Sequence, residues 1–136
     1  MRIMAVDYGD ARTGVAVSDL SATIAGEAWV IHERKIDAVV QSIISEASAR
    51  DVSVIVVGYP KNMNGTIGPR AEMSENLAEL LRASCGLDVV LWDERMTTMS
   101  ANRILTDTGK FGKKRKNTVD AVAASLILEN YLSSRK

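Results

Sequence analysis

The chain has 136 residues, 46% hydrophobic and 25% charged, which is enough for one hydrophobic core and too little for two, so a single domain spanning residues 1–136 is expected. Its 17 basic and 17 acidic side chains cancel, which argues against a protein that coats nucleic acid by bulk attraction. A single cysteine, Cys85, and a single histidine, His32, exclude an intrachain disulfide and cysteine- or histidine-rich metal sites, so any metal must be held by oxygen.

No segment reaches the apolar length of a membrane span, and the first residues lack the basic, apolar and small-residue order of a signal peptide; a cytoplasmic protein is expected. The apolar run at residues 3–6 is too short for a helix and ends in an acid, Asp7. Residues 13–18 are rich in small and β-branched types, so the stretch reads as two strands around a turn punctuated by Gly9 and Gly14. A carboxylate at the end of a buried strand, followed two residues later by a glycine that admits backbone or ligand, is a poor stabilising device and a good place for chemistry.

A third short strand at 28–32 would close an antiparallel meander. From residue 36 to 50 the period changes, with Val39, Val40, Ile43, Ile44 and Ala47 at helical spacing. Residues 52–58 form a nearly continuous β-branched run, the pattern of a strand covered on both faces. Strand, helix and strand in this order imply a right-handed crossover and parallel pairing. A turn-rich loop follows, and its Pro69 suits the first turn of a helix over about 70–84. That helix places Met73, Leu77, Leu80 and Leu81 on one face and ends at Gly86, read as a left-handed cap.

Residues 88–92 read as another strand, leading into Asp93, Glu94 and Arg95. Thr97 or Thr98 can cap a short helix carrying Ile104 and Leu105. Lys110, Lys113, Lys114, Arg115 and Lys116 then crowd around Phe111 and two glycines, the composition of a solvated loop. Asn117 or Thr118 can cap a last helix with Val119, Val122, Ala123, Leu126 and Ile127 inward. The whole is an α/β layer structure.

If the strands ending near Asp7, Gly58 and Trp92 run parallel, Asp7, the 59–68 loop and Asp93 or Glu94 emerge at one carboxyl rim, where open α/β sheets bind ligands. Asp120, in the first turn of the last helix and backed by the small Ala123 and Ala124, would join them. Each acid has an ordinary structural explanation taken singly: a turn former, a helix-start charge, a cap. Gathered on one rim they repel one another unless protons or cations intervene, and an all-oxygen set favours magnesium or manganese.

Four stretches carry a family resemblance: Asp7-Tyr-Gly-Asp-Ala-Arg-Thr-Gly-Val-Ala-Val-Ser-Asp19, Val57-Gly-Tyr-Pro-Lys-Asn-Met-Asn-Gly-Thr66, Asp93-Glu-Arg-Met-Thr-Thr98 and Val119-Asp-Ala-Val-Ala-Ala124. Together, in this order and over nearly the whole chain, they resemble the signatures of the YqgF (RuvX) family in the RNase H-like superfamily. The resemblance implies an RNase H-like fold: a mixed five-stranded sheet whose first three strands form an antiparallel meander, with the Asp7 strand central and helices on both faces. It implies a nuclease that trims the precursor of small-subunit (16S) ribosomal RNA, in a superfamily that includes resolvases of branched DNA. Thr13 stands where the family often has a branched aliphatic residue, Tyr59 where it often has leucine, and Asn64 where aspartate is common.

Carried over position by position, Asp7, Glu94 and Asp120 are the implied catalytic and metal-binding acids. Asp93 competes with Glu94, because alternate strand residues face opposite sides. The implied chemistry is phosphodiester hydrolysis with two Mg2+ or Mn2+ ions about 4 Å apart, one generating hydroxide and the other stabilising the leaving oxygen. Arg12 or Arg95 would grip a phosphate through the planar donor fork, or else form ordinary salt bridges. Lys61, Asn62, Asn64 and Arg70, with Lys113, Lys114, Arg115 and Lys116, are the candidate nucleic-acid contacts. The implied partners are precursor ribosomal RNA or branched DNA, together with ribosomal particles. A monomer suits RNA trimming, whereas a junction resolvase needs a homodimer with two sites related by a two-fold axis.

Two other classes compete. The actin-like ATPases also begin with an Asp-x-Gly turn, but they clamp nucleotide between two such domains and this chain has length for one. Asp107-Thr-Gly109 sits at a predicted helix end, where Gly109 is better explained as a cap than as part of an aspartic protease or phosphate loop. A catalytically silent module binding RNA or a ribosomal particle is the other competitor.

Overall fold

The computed structural model describes residues 1–62, 64–93 and 112–135, with the backbone path alone for 112–118. Its strands are β1 (Arg2–Asp7), β2 (Thr13–Ser18), β3 (Ala25–Ile31), β4 (Val52–Tyr59) and β5 (Asp88–Asp93), and its helices α1 (Ile36–Ala49), α2 (Pro69–Ser84) and α3 (Gly112–Ser134). The strands form one sheet in the order β3-β2-β1-β4-β5. β1, β2 and β3 pair antiparallel, while β1 with β4 and β4 with β5 pair parallel. The expected mixed sheet with the Asp7 strand at its centre is therefore present. Both strand-helix-strand crossovers step the same way along the sheet, and a single crossover hand then puts α1 and α2 on one face.

Strand periodicity divides the core in two. Met4, Val6 and Tyr8 of the β1 segment, Val15 and Val17 of β2, and Ile55 and Val57 of β4 pack with Val39, Val40 and Ile43 of α1 and Leu77 and Leu81 of α2. Ile3 and Ala5, Ala16, and Val56 face the other way, onto Ala124, Ile127, Leu128 and Leu132 of α3. Ile3, Met4, Ile43, Ile55, Leu77, Leu81, Ile127 and Leu128 are fully buried, and each such side chain contributes about 1.5–3 kcal/mol by leaving water.

Five expectations need correction. β3 begins at Ala25, three residues before the expected start, because the hairpin turn is closed early: Asp19 N–H donates to the Ile24 carbonyl at 3.1 Å. Gly86 is not a left-handed cap. The only glycine with positive φ among the described residues is Gly65, and α2 ends at Cys85 in extended backbone, with Cys85 N–H donating to the Leu81 carbonyl.

The last helix begins at Gly112, so the basic segment 113–116 is helical rather than a loop, and Asp120 lies in the third turn rather than the first. Lysine and arginine are good helix formers, and charge density alone does not distinguish a solvated loop from a solvated helix. The inward stripe of α3 is Ala124, Ile127, Leu128 and Leu132 rather than one led by Val119 and Val122. Residues 121–128 are apolar except for Ser125, so periodicity had no polar face from which to take a direction. The expected short helix with Thr97, Thr98, Ile104 and Leu105, the cap at Gly109, and Lys110 and Phe111 lie outside the described residues.

Candidate active site at the carboxyl rim

β1 ends at Asp7, which is level with Gly14 of β2. Residues directly opposite on an antiparallel pair share a face, and Ala5 and Ala16 place that face toward α3. On the other side, one step past the Val6–Val57 pair, comes Gly58, which is level with Trp92. Asp7 thus has a glycine on each flank in its row across the sheet, and its carboxylate is half-buried at the strand end.

The same row explains where Asp120 sits. A Cβ built on Gly14 would collide with the backbone carbonyl of Asp120, so the helix backbone rests directly on the strand at this residue. Asp120 also continues the sheet-facing stripe of α3, lying four, seven and eight residues before Ala124, Ile127 and Leu128. Close approach and helical phase together carry Asp120 to the corner occupied by Asp7.

Arg12 is the third member of this corner. Its Nε donates to Asp120 Oδ2 at 3.0 Å, with the two side chains 33% and 23% exposed. The turn that presents it depends on Gly9, where a Cβ would meet the carbonyl oxygen of Arg12. The glycine after Asp7 therefore admits the chain's own backbone.

The β4–α2 loop supplies the neighbouring part of the rim. Lys61 Nζ lies 5.5 Å from the centroid of the Tyr59 ring, a cation–π seat. Burial raises the Tyr59 phenol above its ordinary pKa, helped by its hydrogen bond to Glu75. Asn62 Nδ2 donates to Thr66 Oγ1 at 2.9 Å, and Asn64 Oδ1 accepts from Thr66 N–H at 3.1 Å and from Thr66 Oγ1 at 2.7 Å. Both asparagines are exposed and shape the loop. Arg70, in the first turn of α2, reaches back so that Nη2 lies 3.5 Å from the Tyr8 carbonyl.

Asp93 falls elsewhere. In β5, Leu91 packs with the α1/α2 side and Trp92 with the α3 side, so Asp93 has Leu91's face, opposite to that of Asp7. Glu94 and Arg95 lie outside the described residues, as do the side chains of Lys113, Lys114, Arg115 and Lys116, whose backbone forms the first turns of α3. Among the described residues no three His, Cys, Asp or Glu side chains gather as a metal site; the carboxylate pair Asp7 and Asp120 is an oxygen donor set that fits magnesium or manganese in kind.

Sequence reasoning missed the glycine row and Trp92. Gly58 ends a β-branched run, a signal read only as punctuation. Trp92 packs edge-on against Tyr131, centroids 5.5 Å apart and planes at 87°, and its buried Nε1 has no hydrogen-bond partner among the described residues. Beside the corner, a shallow groove of about 410 Å³ runs between β3 and α3, lined by Val30, Ala121 and Val122 among others. A second groove, of about 820 Å³ between β3 and α1, is walled by Trp29 and Arg50, whose guanidinium lies 4.3 Å from the Trp29 ring centroid.

The architecture and sequence of the chain have known counterparts. RuvC of Thermus thermophilus, solved in complex with a Holliday junction substrate, superposes with a TM-score of 0.60 over 99% of this chain and 95% of that one, at 12% identity. The Fowlpox virus resolvase in its Holliday junction DNA complex gives 0.59 over 99% of each chain at 10% identity. At these identities the likeness is one of fold. Much nearer in sequence are two proteins named "Putative pre-16S rRNA nuclease". That of Thermoanaerobacter pseudethanolicus is 42% identical over 100% of this chain and 99% of its own length, and that of Geobacillus kaustophilus 45% identical over the full length of both. With the profile described as "RuvX: Holliday junction resolvase" matching residues 1–134, a span that takes in the glycine row, the Arg12 turn and Asp120 alike, the chain belongs to the RuvX family.

Proposed function

We propose that this protein is a nuclease that hydrolyses phosphodiester bonds of precursor 16S ribosomal RNA near its 5' end, using Mg2+ or Mn2+ held by Asp7, Glu94 and Asp120. The observation that carries the proposal is the convergence of Asp7 and Asp120, 113 positions apart in sequence, on one glycine-flanked corner of the carboxyl rim. Two carboxylates gathered in one corner repel each other unless cations offset their charge; Arg12 does this for Asp120 at 3.0 Å, and a divalent cation would do it for both. When bound, the cations supply the charge that activates water and stabilises the leaving oxygen.

Asp7, fixed by the central strand, would be the shared ligand, and Asp120 would hold one cation from the helix side. Glu94 is proposed as the third acid in preference to its neighbour because Asp93 has the opposite sheet face. Arg12, Arg95 and Arg70 are proposed to meet substrate phosphates through planar donor forks, and Lys61, Asn62 and Asn64 to line the loop side of the track. Lys113, Lys114, Arg115 and Lys116 stand in the first turns of α3, where unpaired backbone N–H groups and the helix dipole already favour an anion. Lys116 is one helical turn from Asp120, about 6 Å along the axis. The likeness of names among full-length relatives supports RNA as the substrate; the resolvase-like fold supports branched DNA as the competitor.

Single-turnover cleavage with Mn2+ tests this, using a short RNA from the ribosomal precursor beside a four-way DNA junction. The wild type should cut the RNA, and Asp7→Asn should lose on the order of 10³-fold or more in rate while still binding it. Cutting of the junction alone would move the substrate to branched DNA. Equal trace rates for wild type and Asp7→Asn would leave a silent RNA-binding module.

A further inference from the structure

The Arg12–Asp120 pair sets a cation of the protein's own on the carboxylate that would take a metal ion. Its geometry is built: Gly9 lets the turn close on the Arg12 carbonyl, and Gly14 lets α3 settle at the Asp120 carbonyl, so both backbones are fixed before the side chains meet at 3.0 Å. Its exposure matters as much. With the partners 33% and 23% exposed, water screens the pair, which is then weak enough to exchange; a fully buried pair would be expensive to open.

A divalent cation bound directly to Asp120 would lie close to the guanidinium, and like charges at that range in a half-buried corner disfavour each other. Occupancy of Asp120 by Arg12 and by a metal ion are therefore alternatives. Once displaced, the guanidinium remains tethered to the rim beside the metal, with a donor fork suited to phosphate.

We infer that Arg12 is a displaceable counter-ion: it neutralises Asp120 in the metal-free protein, yields that carboxylate to a divalent cation, and then presents its fork to a substrate phosphate. This rests on the cation-binding reading of the Asp7 corner and adds an order to it, since metal binding readies the arginine for RNA.

The test measures equilibrium Mn2+ binding to the folded full chain by the paramagnetic signal of free Mn2+, with no turnover involved. Arg12→Gln should bind Mn2+ about two- to fivefold more tightly than wild type, the range expected from releasing a half-exposed ion pair. In an Asp120→Asn background the same replacement should change Mn2+ affinity less than about 1.7-fold, the tighter limit of additivity. An equal tightening in that background would show the charge acting through space and would overturn the inference, as would an unchanged affinity for Arg12→Gln itself.

Anisotropy titration of a short single-stranded RNA, in Ca2+ and in chelator, reads the second half. The cation should strengthen RNA binding to the wild type, and Arg12→Lys, which keeps the charge without the fork and covers the case of a glutamine variant that fails to fold, should lose most of that gain. A full gain in Arg12→Lys would overturn the role of the fork. Wild-type protein that binds no Mn2+ would instead bring down the cation reading of the site, a result separate from the failure of Arg12 alone.

Discussion

The backbone carbonyl of Asp120 occupies the space in which a side chain on Gly14 would begin. The contact is between main chains, so no rotamer change relieves it, and it ties the position of a proposed metal ligand to the absence of one methyl group on the neighbouring strand.

Gly14→Ala should therefore force α3 away from the sheet. Overpacking of a tight core costs about 1–3 kcal/mol, and a clash against backbone belongs at or above the upper end. The substitution should lower Tm by roughly 5–15 °C and weaken Mn2+ binding at the corner. A thermal melt within about 2 °C of wild type would show that the helix has slack at this point.

Thr13 offers the opposite case. It is fully buried, and its Oγ1 has no hydrogen-bond partner among the described residues, at a position where the family resemblance leads one to expect a branched aliphatic side chain. An unsatisfied buried hydroxyl costs about 1–3 kcal/mol. Thr13→Val keeps the shape and removes the polar atom, so it should raise stability by about 1 kcal/mol, or roughly 3–5 °C in Tm. A destabilised valine variant in chemical denaturation would mean that the hydroxyl is satisfied in solution.

Asp19 organises the β2–β3 turn from the far end of the sheet. It accepts from Ser21 Oγ at 2.6 Å, Thr23 N–H at 2.8 Å and Ile24 N–H at 3.2 Å, and these bonds, led by Ser21, hold its carboxyl below the usual aspartate range. A folded-state pKa below the unfolded one means that the native turn favours the ionised form. The resulting stability is complete above the unfolded pKa, near 4, and is lost as pH falls through the lower folded value. The Tm difference between wild type and Asp19→Asn should be constant from about pH 5 to 7 and shrink as pH drops below about 4. A difference that persists undiminished down to pH 2 would assign the turn's stability to hydrogen bonding alone.

Much of this was legible in the chain because local pattern and tertiary role coincide. The β-branched run of β4 announces a strand covered on both faces, and the acid after the apolar run of β1 announces the corner. Ala124 behind Asp120 does mark a helix that lies close to the sheet. The legibility stops where partners are distant or signals are degenerate. Arg12 and Asp120 are 108 positions apart, and no local pattern distinguishes their ion pair from a phosphate contact. The apolar run 121–128 satisfies several helical phases at once, so only packing against Ala5 and Ala16 selects the stripe that includes Asp120. Cys85 ends α2 through backbone in an extended conformation, which leaves Gly86 without the role its type suggests.

The neighbouring acids at the end of β5 give the sharpest test of how far strand alternation governs the chemistry. Leu91 and Trp92 pack on opposite sides of the sheet, and Asp93, level with Tyr59, shares the face of Leu91. Asp7 and Asp120 lie on the α3 side, so a carboxylate leaving β5 at Asp93 points away from them. Under the proposed function Asp93→Asn should keep at least about a tenth of the wild-type single-turnover rate and bind Mn2+ normally, whereas Glu94→Gln should lose on the order of 10²-fold or more in rate and weaken Mn2+ binding, with Asp120→Asn behaving like Glu94→Gln. Circular dichroism melts on each variant separate loss of a ligand from loss of the fold. Should Asp93→Asn prove as inactive as Asp7→Asn while remaining folded, the third acid would have to be assigned to Asp93, and the alternation of β5 would have to break at its last residue when metal binds.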